Sequence, residues 1–110
     1  MEVTFKDNKL KKLSENYSKC LQVMGSIRAK LFFKRLNELY DAFCLEDLRN
    51  VPGGYHELLG NRKGQWACNL DHPYRLIFEP FEKPIPTDES GKYIWLEIKE
   101  IEIIEIIDYH

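Results

Sequence analysis

Apolar positions in the first half of the chain recur every three or four residues, whereas those in the second half alternate or cluster in short runs. From Leu10 onward the series is Leu10, Leu13, Tyr17, Leu21 and Met24, the spacing that lines one side of an α-helix. Asp7-Asn8 stands just ahead, and either short polar side chain can cap a helix start. Gly25-Ser26 interrupts the period and puts Ser26 where a second cap is needed. Ile27, Leu31, Phe32, Arg35, Leu36, Leu39, Tyr40 and Phe43 then repeat the helical spacing, with Lys30, Lys34 and Glu38 outward. The pattern predicts a helical hairpin preceded by a short strand through Val3 and Phe5.

Beyond Asp47-Leu48, the Pro52-Gly53-Gly54 cluster marks a turn and the helical period stops. Three runs then read as strands: Tyr55 to Leu59, Gln65 to Leu70 and Tyr74 to Glu79. Gly60-Asn61-Arg62-Lys63-Gly64 and Asp71-His72-Pro73 connect them into a β-meander. A polar loop with several prolines, Pro80 to Lys92, leads to a last strand running from Tyr93 towards Tyr109. Within it Ile94, Leu96 and Ile98 are apolar on even positions, but Ile101 and Ile103 on odd ones. A one-residue change of phase exchanges the faces of a strand, so a bulge or break is expected near Lys99-Glu100. Ile103, Ile104, Ile106 and Ile107 then occupy both faces, as in a strand buried on both sides. The expected class is α+β: an N-terminal strand, a helical hairpin and a mainly antiparallel sheet, forming one domain over residues 1–110.

Composition narrows the function classes. Apolar residues make up 44% and charged residues 31% of 110, a globular balance at a length that supports a core without disulfides or metals. No apolar run approaches the roughly 20 residues that span a bilayer. Met1-Glu2-Val3 lacks the basic-then-apolar layout of a secretory signal, so a cytoplasmic protein with no membrane contact is expected. Cys20, Cys44 and Cys68 are odd in number and scattered, which favours reduced, partly buried thiols over disulfides or zinc. The net charge of −2 conceals a gradient: residues 1–40 carry nine Lys or Arg against four acids, and residues 81–110 carry three against eight. Such asymmetry marks either a basic contact surface or solvated helix faces.

The candidate chemistry lies in the second half. His56 follows the Gly-Gly turn, and alternation puts it on the face of Leu58 and opposite Tyr55 and Glu57. Arg75 interrupts the otherwise largely apolar run Tyr74-Arg75-Leu76-Ile77-Phe78. It either pairs with Glu57, Glu79 or Asp108, or presents its planar fork to a phosphate. Asp108, Tyr109 and His110 place a carboxylate, a phenol and an imidazole at the end of the most strand-prone segment. Trp66, alternating with Cys68 and Leu70, reads as core, His72 as a solvated turn residue, and Tyr55 as core or as a platform for a base. No metal-binding spacing and no Gly-rich phosphate loop is present, so no cofactor is expected.

His56-Glu57-Leu58 with Gly60, Asn61-Arg62-Lys63-Gly64-Gln65-Trp66-Ala67, Tyr74-Arg75-Leu76-Ile77-Phe78 and Asp108-Tyr109-His110 together resemble the HigB branch of the RelE and ParE toxin superfamily. The resemblance covers nearly the whole chain. It implies a ribosome-dependent mRNA endonuclease acting in the A site of the 70S ribosome and restrained by a HigA-type helix-turn-helix antitoxin. It also implies catalytic roles for His56, Arg75, Asp108, Tyr109 and His110, with Arg62 and Lys63 meeting RNA phosphate. Leu59 stands where some relatives carry a lysine, and the Pro80 to Lys92 loop is longer than in the shorter relatives. RNA supplies its own nucleophile, the 2′-hydroxyl, so metal-free cleavage needs a base, an acid and a cation. Two alternatives share the architecture: a ParE-like inhibitor of DNA gyrase, and a non-enzymatic module whose basic hairpin binds a partner protein.

Overall fold

The computed structural model describes residues 1–108; Tyr109 and His110 lie outside the described residues. Strand β1 (Glu2–Phe5) ends where the Asp7 carboxylate accepts from the Lys9 and Leu10 amides at 2.8 and 3.2 Å, starting helix α1 (Asn8–Ser14). The helix expected to continue to Met24 stops here instead. The Asn16 side chain accepts from the Lys19 amide at 3.0 Å and so caps a separate helix, α2 (Tyr17–Met24). Apolar spacing survives the interruption because one turn separates the two, but an asparagine side chain that competes for backbone groups resets the helix. Gly25, at φ 82°, is the cap of α3 (Ser26–Asp41). Ser26 is therefore the first helical residue and not the cap. The inward stripe of α3 is Ala29, Phe32, Arg35, Leu36 and Leu39, leaving Ile27 and Phe43 about 70% exposed (69% and 72%).

The sheet has five strands in the order β1-β5-β4-β3-β2. After a 3₁₀ turn at Leu45–Asn50 come β2 (His56–Glu57), β3 (Trp66–Asn69), β4 (Tyr74–Pro80) and β5 (Glu100–Asp108). These four form the expected antiparallel meander, while β1 joins the far side of β5 in parallel register. Two boundaries differ from the expectation. Strand β2 is only two residues long, because Leu59 leads into a 3₁₀ turn at Gly60–Arg62. The last strand begins at Glu100 and not at Tyr93, because Trp95–Glu97 form a 3₁₀ turn that buries Trp95.

Phase along β5 shifts twice. The break ahead of Glu100 accounts for the first change of face. A register shift then falls further on, where Ile77 pairs with Glu105 but Phe78 pairs with Ile103. Ile104 is the extra residue of this bulge. It lets Ile101, Ile103 and Ile106 pack toward the helices while Ile104 and Ile107 pack on the opposite face.

Two clusters result. The larger, between helices and sheet, centres on Phe32, Leu39, Leu48, Trp66, Leu76 and Phe78, all fully buried; each such side chain contributes roughly 1.5–3 kcal/mol by burial. The smaller joins Leu58, Ala67 and Ile77 with Ile104 and Ile107 on the face that the helices leave open. Trp66 is a core residue, as its alternation suggested. The three cysteines are free and buried, and burial pushes the Cys68 thiol up to about 12. Among the described residues no helix is long and apolar enough to cross a membrane.

Candidate functional site on the open sheet face

Residues paired across neighbouring strands share a face, so the register sorts the polar side chains. One row crosses the sheet as His56, Ala67, Ile77 and Glu105; the adjacent row is Asn69, Arg75 and Ile107. Both rows lie on the open face, floored by the small apolar cluster. His56 and Arg75 thus share one surface, two strand spacings and one two-residue step apart, or ~12 Å between their backbone positions.

His56 is exposed, and its Nδ1 lies 2.8 Å from the Gly54 carbonyl oxygen. A carbonyl only accepts, so the ring donates from Nδ1, which makes Nε2 the accepting nitrogen of the neutral ring. Tyr55 turns the other way. Its hydroxyl donates to Glu38 Oε1 at 2.8 Å inside the main core, and burial pushes this phenol far above its ordinary range, so Tyr55 is no platform for a base.

Arg75 is half-buried and donates from Nη1 to the Tyr74 carbonyl at 3.0 Å. Two of the carboxylates considered for it are engaged elsewhere. Glu57 accepts from Trp95 Nε1 and lies 3.4 Å from Arg49, and Glu79 pairs with Lys83. Asp108 is exposed and stands opposite Tyr74, on the face of Tyr74 rather than that of Arg75. Tyr109 and His110, the other two members of the terminal triplet, are outside the described residues.

The two basic residues of the Gly60–Lys63 turn diverge. Arg62 extends over the open face, donating to Gln65 at 2.8 Å and lying 3.5 Å from Glu105. Lys63 turns outward, with Nζ 5.6 Å from the centre of the Tyr93 ring. There it lines a cleft of about 450 Å³ with Arg49, Lys92 and Trp95. Leu59 is 79% exposed beside the same cleft. A second cavity, of about 650 Å³, is elsewhere and carboxylate-rich, with Glu2, Asp41, Glu82, Glu97 and Glu100 on its walls. Neither His56 nor Arg75 borders it.

Sequence reasoning missed Glu105, and it placed Arg35 on the apolar side of the second helix without giving it a role. Glu105 is one of three acids in β5, and only the register with Ile77 assigns it to the face of His56. Arg35 did carry a signal, a charge on the apolar side of a helix.

A five-stranded sheet with one parallel edge, helices on one face and an open face that carries His56, Arg75 and Arg62 defines a class. The fold matches a YoeB/ParE toxin from Agrobacterium tumefaciens over 100% of both chains, with a TM-score of 0.50 at 13% identity. The molecule thus has the RelE/ParE-type α+β fold. In sequence, it is 37% identical over 81 residues to Toxin HigB-1 of Vibrio cholerae, a match covering 72% of this chain and 83% of the relative. No protein-family model matches the chain. The chain belongs to the HigB family of toxins in the RelE/ParE superfamily, the toxin components of type II toxin-antitoxin systems.

Proposed function

We propose that this toxin is a ribosome-dependent mRNA endonuclease that cuts messages in the ribosomal A site and halts translation. The observation that carries the reading is His56, held with Nε2 as its accepting nitrogen on the same open face as Arg75 and Arg62. The lone pair of an exposed imidazole can take the proton of a 2′-hydroxyl. The freed 2′-oxygen attacks phosphorus, the bond to the 5′-oxygen breaks, and that oxygen takes a proton from an acid, leaving a 2′,3′-cyclic phosphate and a 5′-hydroxyl. Arg75 and Arg62 meet the charge that builds on the phosphorane oxygens. His110 is the candidate acid, with Asp108 orienting that histidine and Tyr109 stacking on a base. A HigA-type antitoxin blocks entry to the ribosome, and the toxin acts in the cytoplasm as a single domain.

The test is transcript cleavage in a translating bacterial extract by the wild type, His56→Ala and Arg75→Ala. Wild-type protein is expected to cut and each variant to lose about 10²- to 10⁴-fold. Full activity in His56→Ala refutes its assigned role. Inhibition of supercoiling by gyrase without transcript cleavage points instead to the ParE-type activity.

A further inference from the structure

The turn that carries His56 is held from beneath by a charge. Gly53 and Gly54 adopt φ of 137° and 69°, and neither tolerates a side chain: a Cβ on Gly53 would stand 2.9 Å from the Arg35 guanidinium carbon, and one on Gly54 would run into the Asn69 amide. Arg35, from the inward side of α3, is only 7% exposed. Its Nε donates to the Asn69 carbonyl at 2.7 Å, and its Nη1 donates to the Glu38 carboxylate at 3.1 Å. Glu38 also accepts from the Tyr55 hydroxyl, one residue before His56. The Asn69 backbone N–H in turn donates to the Gly53 carbonyl at 2.8 Å, and the next carbonyl, Gly54, receives the His56 Nδ1 proton at 2.8 Å.

A guanidinium in a core is costly to desolvate, and an apolar side chain would pack at this helical position without that cost. Its planar fork does what no apolar residue can: it grips a strand carbonyl and a helix carboxylate in fixed directions. We infer that Arg35 is a positioning residue for His56: through Asn69 and the Gly53-Gly54 turn, it fixes the carbonyl that selects the Nδ1-protonated ring and leaves Nε2 as the acceptor. The effect on cleavage rests on the endonuclease reading, whereas the effect on the imidazole proton does not.

The experiment records long-range proton–nitrogen spectra of the His56 ring in full-length wild type, Arg35→Lys and Tyr55→Phe, with circular dichroism confirming the fold. Wild type is expected to hold the Nδ1–H form. Arg35→Lys, which replaces the fork by a point charge, is expected to relax toward a mixture of both tautomers. In translating extract Arg35→Lys slows cleavage about 10- to 100-fold, and Tyr55→Phe about threefold through the loss of one hydrogen bond. Added to His56→Ala, neither substitution lowers the residual rate further. An unchanged His56 tautomer in folded Arg35→Lys overturns the proposal, as does a full additional loss on the His56→Ala background. If Arg35→Lys does not fold, an unchanged tautomer in Tyr55→Phe overturns it. Absence of cleavage by the wild type removes the endonuclease reading and leaves the tautomer spectra to decide the positioning role.

Discussion

Arg28 lies with its guanidinium carbon 3.5 Å from the centre of the Tyr74 ring and grips Asp71 at 2.9 and 3.2 Å. One side chain of α3 thereby fastens the β3–β4 turn and the first residue of β4, next to Arg75. The hydrogen bond from Arg28 holds the Asp71 carboxyl below the ordinary aspartate range. A carboxyl depressed in this way stabilises the fold fully above its unfolded pKa, and the contribution disappears as pH falls through the folded one. Asp71→Asn is expected to lose about 0.5–1 kcal/mol near neutrality. Urea unfolding at pH 7 and again near pH 3 checks the sign: the gap between wild type and variant closes in acid.

Divergence of the two basic turn residues separates their roles. Arg62→Ala is expected to lower transcript cleavage about tenfold, since a hydrogen-bonded cation over the reactive face is lost. Lys63→Ala, removing a charge that faces the Tyr93 cleft, leaves the rate within about twofold. Rates of the two variants measured side by side decide this, and equal losses contradict it.

The Asn16 cap is the reason α1 and α2 are two helices. Replacing it by alanine leaves the Lys19 amide without its acceptor and costs about 1 kcal/mol, whereas glycine costs a few tenths. Denaturant midpoints of Asn16→Ala and Asn16→Gly rank accordingly.

Deleting Ile104 removes the bulged residue and leaves the pairs on either side of it intact, Ile103 with Phe78 and Glu105 with Ile77, so Ile106 and Ile107 keep their faces. The cost is the apolar contact of Ile104 with the small cluster, roughly 1.5–3 kcal/mol. Ile104→Val keeps the bulge and costs about 1 kcal/mol. Thermal midpoints rank the two, and a deletion variant that fails to fold contradicts the bulge.

The meander was legible in the sequence because Gly and Pro clusters punctuate it and β-branched residues fill it. Helical spacing likewise revealed α3, down to the buried Arg35. The split at Asn16 was hidden because a one-turn interruption preserves the three-and-four spacing of apolar residues. The pairing of β1 with β5 was hidden too, since parallel contacts between the two ends of the described chain leave no local mark. Residues His56 and Arg75 stood out by type and by setting, but their common face follows from register, which depends on turn lengths and on where the bulge falls. Glu105 illustrates the limit: one acid among several in a strand is assigned to a face only once its partner Ile77 is known.

Strand β5 occupies the slot between β1 and β4, so the last of the five strands to be synthesised is the one its two neighbours must wait for. Until it emerges, β1 has no hydrogen-bonding partner in the sheet and one edge of β4 stays bare. Pairing over so long a stretch of chain is slow relative to local contacts. A nascent copy therefore keeps an incomplete sheet, with its first strand unpaired, until the residues of β5 have been made.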